Sequence, residues 1–370
     1  MIGAEPHLPY DRPPLSKQFL SGKWEDEKLR LRAAVDPEAL GLDWRLGVRA
    51  VGLDCEAKTV TLDDGTSVSF DGLIITTGTR ARTLPNADLD GVFTLRSLDD
   101  ARALKSALDA GPNRLLVIGA GFIGAEVAAT ARDAGIEVTM VEAAPAPLMR
   151  VVDAESGMAV AELHRSHGVD VRLGVGVESL IGDVAVSGVV LSDGTTVEAE
   201  VVLVGIGAIP NTEWLEGSGL TLDNGVVCDE TCLAAPGIVA AGDIARWPHA
   251  RYGGALTRIE QWDNALDQGG YAARRLLAEA AGEAVEPYGP IPWFWSDQYD
   301  RKMQLAGRAS NNAQIVHGSV ADQVFVKVFA DDDGQFIGVL AWNRPRHAIM
   351  ARQLLEANAS LAEAIEQLSA

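Results

Sequence analysis

Residues 114–142, RLLVIGAGFIGAEVAATARDAGIEVTMVE, narrow the possible folds of this chain more than any other stretch. The apolar run Leu115-Leu116-Val117-Ile118 reads as a strand buried on both faces. Gly119-Ala120-Gly121-Phe122-Ile123-Gly124 follows, a G-x-G-x-x-G pattern that enters an alanine-rich helix ending near Gly135. A second strand over 137–141 closes the unit, with Glu142 at its carboxyl end. Gly119 permits the tight turn, Gly121 lets backbone approach a pyrophosphate, and Gly124 lets helix and strand pack closely. The helix start offers free N–H groups and partial positive charge to phosphates. A glycine pattern alone is weak, but strand, turn, helix, strand and acid in this order describe a dinucleotide-binding βαβ unit.

Charge and cysteine content bound the rest. The chain has 370 residues, enough for two or three domains, and a formal charge of −21. Such an acidic chain is a poor ligand for nucleic acid or anionic membranes. No apolar stretch reaches membrane-spanning length, and the first residues do not read as a secretory signal. Cys55, Cys228 and Cys232 make no disulfide framework, so a reducing cytoplasm is the default location. No resident metal is expected.

Taken in order, the chain begins with Met1-Ile2-Gly3-Ala4-Glu5, which reads as the end of a strand followed by an acid, the second half of a βαβ unit. Residues 9–17, PYDRPPLSK, fit either a proline-stiffened loop or a rigid ligand-contacting segment. Residues 48–76 alternate as short strands around an Asp63-Asp64-Gly65 turn and run into Thr76-Thr77-Gly78-Thr79-Arg80. After the central unit come a strand near 169–173, a hairpin at 192–194, the apolar run 201–204, and Gly205-Ile206-Gly207. Residues 237–243 form an apolar strand ending in Gly242-Asp243, and a helix is expected over 263–277. From about 287 prolines precede Trp293-Phe294-Trp295, short strands at 324–329 and 336–342, and one last helix from about 346 through 368.

The segment 9–17, Thr77-Gly78, the central glycine unit, Gly205-Ile206-Gly207, Ala241-Gly242-Asp243 and Trp293-Phe294-Trp295 occur in the order found in FAD-dependent NADH:ferredoxin reductases. The chain resembles this family, the flavoprotein components of bacterial oxygenase systems, over essentially its whole length. The resemblance implies an α/β fold with two Rossmann-like nucleotide-binding domains and a C-terminal α+β domain. An FAD domain over 1–95 and 214–286 would carry an inserted NAD domain over 96–213, followed by a C-terminal reductase domain over 287–370.

It also implies site residues. Glu5, Arg12, Lys17, Thr77, Gly78, Arg80, Gly242, Asp243, Trp262 and Trp295 would contact FAD. Gly119, Gly121, Phe122, Ile123, Gly124, Glu142, Gly205 and Gly207 would form the NAD(H) site. Lys17 and Glu126 take catalytic roles by resemblance, as an ion pair beside the flavin N5 and nicotinamide. The plain structural alternative for Glu126 is a solvated first-turn glutamate favoured by the helix dipole, and clustered tryptophans read as core.

No cysteine precedes Cys55, so the early thiol used by related peroxidases and the C-x-x-x-x-C of disulfide reductases are both missing. Reduced flavin would therefore pass electrons to an external carrier, a [2Fe–2S] ferredoxin or a rubredoxin-like protein serving an oxygenase. The protein is expected to be a monomer or homodimer. Arg301, Lys302, Arg308, Arg344, Arg346 and Arg352 gather cations in the C-terminal segment, where they either face a partner or are ordinary solvated charges. Two other readings stay open: a flavin-free NAD(H)-binding chain, and an interaction protein resembling apoptosis-inducing factor.

The family's chains open with a strand, glycine turn and helix ahead of the acid that Glu5 resembles. That turn, which would hold the FAD pyrophosphate, is not seen in this sequence. The 370-residue chain is accordingly expected to purify with little FAD while its NAD domain folds, which the visible spectrum checks directly.

Glu142 predicts the nucleotide. A carboxylate there pairs with two ribose hydroxyls and repels a 2′-phosphate, and residues 143–147 supply no arginine to receive one. Glu142→Arg should weaken NADH use by about 10- to 150-fold, the worth of one charged hydrogen bond, and narrow its advantage over NADPH. Steady-state kinetics with both nucleotides measure this; an unchanged preference refutes the assignment.

Overall fold

Arg114–Ile118 is buried along nearly its whole length, and strands pair with both of its edges. The computed structural model describes residues 1–31 and 41–369, so the expected FAD-domain segment 1–95 includes nine positions outside the description. The chain divides into two compact units. One comprises Arg12–Lys28, Ala81–Gly207 and Ile291–Ala370; the other comprises Met1–Asp11, Leu29–Arg80 and Ala208–Pro290.

The first of these units is built on a parallel sheet. Its order is Asp170–Leu173, Glu137–Glu142, Arg114–Ile118, Val201–Val204, Val92–Phe93. Successive strands run outward from Arg114–Ile118 on one side, and the later Val201–Val204 returns on the other. That reversal leaves a crevice at the carboxyl ends of the two central strands, where open α/β sheets bind ligands. The Leu98–Asp109 helix starts at a capping box between Ser97 and Asp100. The Phe122–Asp133 and Ala154–Ser166 helices follow their strands as the pattern predicts.

An antiparallel sheet completes this unit, in the order Trp293–Gln298, Arg301–Gly307, Phe336–Trp342, Val324–Ala330, Asn312–Ser319. Phe294, Met303, Phe325 and Trp342 from it share one apolar core with Ala125, Val160 and Leu163 from the two helices. The expected single C-terminal helix is two, Pro345–Glu356 and Leu361–Leu368. Asn358 takes a left-handed φ of 52°, and Ser360 opens a new capping box with Glu363, so local capping outweighs the continuous apolar spacing.

In the other unit, Leu73–Ile75 pairs in parallel with Ile238–Ala240, which is flanked by Leu233–Ala235. Ile2–Gly3 pairs in parallel with Arg45–Leu46 as a separate two-stranded piece. Trp247, Ile75, Leu62, Cys228 and Cys232 fill the core. The long helix is Trp262–Ala281, four residues beyond the expected end; Ala278–Ala281 continue it until Gly282 turns left-handed with φ 72°. Among the described residues, no helix is long and apolar enough to cross a membrane.

The segment 9–17 also departs from a plain loop. Leu15–Phe19 forms one wide helical turn, with Leu15, Ser16 and Phe19 buried. Pro14, at φ −72°, starts it in helical geometry.

Lys327 sits 2% exposed in Val324–Ala330 and donates to Asp153 at 2.9 Å and Glu155 at 2.7 Å, at the start of the Ala154–Ser166 helix. Burial would raise the Asp153 carboxyl, but Lys327 and Ser156 outweigh it and hold the group below its ordinary value. A depressed folded value adds stability above the ordinary carboxylate range and loses it as pH falls through the folded value. Lys327→Ala should cost about 3–5 kcal/mol at neutral pH, since it strands a buried carboxylate. Lys327→Met should cost less, and both deficits should shrink as pH falls below about 4. Urea denaturation across pH checks this; a pH-independent deficit would count against the pair.

Candidate functional site

The fingerprint turn closes backbone on backbone. Gly119 has φ 97°, and a Cβ there would lie 2.4 Å from the Gly205 carbonyl oxygen. Gly205 N–H donates to the Ile118 carbonyl at 2.7 Å, so the two glycine turns lock across the central strands. A Cβ on Gly124 would come within 2.1 Å of the Gly119 oxygen, the close helix–strand approach the sequence predicts. Gly121 is different. It caps the Phe122–Asp133 helix with extended backbone and no side-chain cap, and a Cβ there would meet only the Gly205 oxygen, at 4.0 Å. The first-turn N–H groups thus remain available to an anion.

Glu142 is held by this turn. Its Oε2 accepts from Ala120 N–H at 2.8 Å and its Oε1 from Ala144 N–H at 2.9 Å. Residues 143–152 fold back over the turn, with Leu148 N–H donating to the Ala120 carbonyl. Gly207 has φ 105°, and the Arg150 guanidinium lies 3.6 Å from where its Cβ would be. Phe122 packs on Phe294, ring centres 4.5 Å apart, while Ile123 is exposed.

Glu126 lies on the same helix, and it is buried, not solvated. Its Oε2 accepts from Lys17 Nζ at 2.9 Å and from Ser16 Oγ, and its Oε1 accepts from Ser296 Oγ at 2.8 Å. Thr130 Oγ donates to the Ser16 carbonyl at 3.0 Å, fixing the wide turn to this helix. Arg12 spends its guanidinium on the Arg96 carbonyl. Trp295 stands on the half-buried face of Trp293–Gln298, opposite the buried face that carries Phe294, Ser296 and Gln298.

In the other unit, Thr79 Oγ donates to Asp243 at 3.3 Å, and Gly242, at φ 75°, donates its N–H to Gln268 Oε1 at 2.9 Å. Arg258 donates to the Asp243 carbonyl at 3.0 Å. Gln261 caps the Trp262–Ala281 helix with extended backbone, and its side-chain oxygen is buried without a partner. Trp262 Nε1 donates to Asp11 at 3.0 Å, and Tyr10 donates to Glu5. Thr77 exchanges hydrogen bonds with Asn211, and Arg80 pairs with Glu213 at 2.6 Å near Gly78 (φ 60°).

Sequence reasoning missed Ser16, Ser296 and Gln298. Period-two alternation through residues 293–298 places two polar side chains among the inward positions, and a buried polar group needs a partner. Of the C-terminal cations, Arg301, Lys302 and Arg352 form ion pairs with Asp300, Asp297 and Glu356, which cancels much of their local field.

Residues 1–269 match the pyridine nucleotide-disulphide oxidoreductase family, and residues 293–366 match the reductase C-terminal family. The chain is 40% identical to rhodocoxin reductase of Rhodococcus erythropolis, over 96% of this chain and 82% of that protein. It is also 40% identical to the ferredoxin–NAD(+) reductase component of the p-cumate 2,3-dioxygenase system of Pseudomonas putida, covering 98% and 87%. Among solved structures, it superposes on putidaredoxin reductase from its covalent complex with putidaredoxin with a TM-score of 0.88 at 32% identity, covering 99% and 90%.

Proposed function

Because the chain belongs to the pyridine nucleotide-disulphide oxidoreductase family, we propose that it is an NADH-dependent reductase that passes electrons through FAD to a ferredoxin serving an oxygenase. Several of its relatives are named as ferredoxin–NAD(+) reductase components of dioxygenase systems. The observation that carries the reading is an open fingerprint turn followed, on the helix that begins there, by the buried Glu126, which pairs with Lys17.

The residues present fit both groups. The uncapped start at Gly121 suits a pyrophosphate, and Glu142 is fixed at the turn where a ribose would sit. In the other unit, the orphaned acceptor of Gln261 and the uncapped start of the Trp262–Ala281 helix suit the polar, electron-accepting end of a flavin. Asp243, held by Thr79, offers an acceptor for a ribityl hydroxyl. When bound, FAD supplies the conversion of a two-electron hydride into single electrons.

The chain's own residues bind, orient and balance charge. Gly205 and Gly207 keep side chains out of the crevice where the nicotinamide would lie. Glu126 holds Lys17 in one place, and a fixed ammonium stabilises negative charge that develops on reduction. Cys228 and Cys232 are buried, and burial pushes both thiols up to about 12, so neither is a thiolate ready to relay electrons. That favours an external one-electron acceptor. Three cysteines without a disulfide framework also support a cytoplasmic setting.

Lys17→Met and Glu126→Gln should each slow flavin reduction by NADH about 10- to 150-fold, the worth of one charged hydrogen bond. Both should leave NADH affinity within about threefold, because the pair acts on the developing charge more than on the bound nucleotide. Stopped-flow absorbance, followed by reduction of a [2Fe–2S] ferredoxin, measures both steps. Unchanged flavin reduction in both variants overturns the role given to this pair.

A further inference from the structure

Glu126 is the end of a longer buried line of hydrogen bonds. Ser296 Oγ spends its one proton on Glu126 Oε1, so toward Gln298 it can only accept, and Gln298 Nε2 donates to it at 3.1 Å. Gln298 Oε1 then faces His164 Nε2 at 3.0 Å, which fixes the His164 proton on Nε2. A neutral ring protonated there leaves Nδ1 as an acceptor for the Tyr299 hydroxyl, 3.1 Å away. Ser296, Gln298 and His164 are each at most 3% exposed. Burial, with His167 nearby, pushes His164 down to about 4 against the opposing pull of Gln298, which keeps the ring neutral at neutral pH. His167 stacks on Tyr299, ring centres 3.7 Å apart, and closes the outer end.

We propose that Tyr299, His164, Gln298 and Ser296 form a one-way donor chain that positions the Glu126 carboxylate for Lys17, with Ser296 the positioning residue at its inner end. Donation runs from Tyr299 O–H to His164, from His164 to Gln298, from Gln298 to Ser296, and from Ser296 to Glu126. Each link fixes the orientation of the next: Ser296, neutral His164 and Tyr299 have one proton apiece, and Gln298 turns its oxygen to His164 and its amide nitrogen to Ser296. The antiparallel sheet thereby acts on the ion pair without touching a nucleotide. This rests on the catalytic role of Glu126 proposed above.

Two measurements test it. Nitrogen-15 correlation spectra of the histidine side chains, recorded on the 370-residue chain at neutral pH, should show His164 protonated on Nε2. That resonance should move in Glu126→Gln, and Glu126→Gln should no longer move it in a Ser296→Ala background. A proton on Nδ1, or a resonance indifferent to Glu126→Gln, overturns the chain. In the FAD-loaded protein, Ser296→Ala should slow flavin reduction about tenfold with NADH affinity within about twofold, and Ser296→Thr, which keeps the hydroxyl, should stay within about twofold of native. Native-like rates in Ser296→Ala, or equal loss in Ser296→Thr, also overturn it. Loss in Glu126→Gln without loss in Ser296→Ala defeats the chain alone; no loss in Glu126→Gln defeats the role of Glu126 itself.

Discussion

A carboxylate taken out of water must be compensated on every side, and Glu126 imposes that requirement on the unit around it. An isolated buried charge costs several kcal/mol even after relaxation. Glu126 is 5% exposed and has three donors, Ser16, Lys17 and Ser296, from two segments far apart in sequence. Satisfying it requires the wide turn at Leu15–Phe19 and the strand Trp293–Gln298 to close on the Phe122–Asp133 helix. The apolar contact of Phe122 with Phe294 and the Thr130 bond to Ser16 secure the same closure from either side. The ion pair is therefore less a source of stability than a registration device, since Lys17 has one carboxylate to meet and that carboxylate has one orientation.

The glycine turn was legible in the sequence because its requirements are local. Gly119, Gly121 and Gly124 are set by backbone sterics within six residues, and Glu142 lies at the end of the next strand. Hydrophobic runs placed the parallel strands for the same reason. The surroundings of Glu126 were not legible, because position alone could not separate a solvated first-turn glutamate from a buried one. Burial is decided by Ser296, 170 residues away. The C-terminal helix shows the opposite failure: apolar spacing ran on through a break that Asn358 and the Ser360–Glu363 box impose locally.

Thr77 and Arg80 show what an ordered motif leaves open. Their place in the chain suggests a cofactor contact, and both side chains are engaged by the segment 211–213. A motif's order constrains where backbone passes, and Gly78, at φ 60°, answers to that constraint. It says much less about where a long, mobile side chain finds its partner.

The two kinds of control around the glycine turn are complementary. Glycines act by subtraction: a Cβ at Gly119 or Gly124 would strike backbone, so the turn has one shape and leaves its N–H groups facing outward. The Glu126 network acts by valence: both carboxylate oxygens are engaged by donors from Ser16, Lys17 and Ser296, so the charge has one orientation. Sterics alone would fix the backbone but let a lysine side chain wander over several rotamers. Valence alone would orient the charge but not keep it near the crevice. Because Gly121 caps the same helix that carries Glu126 one turn later, a rigid element of secondary structure joins the two controls, and the position of Lys17 follows from that of the turn.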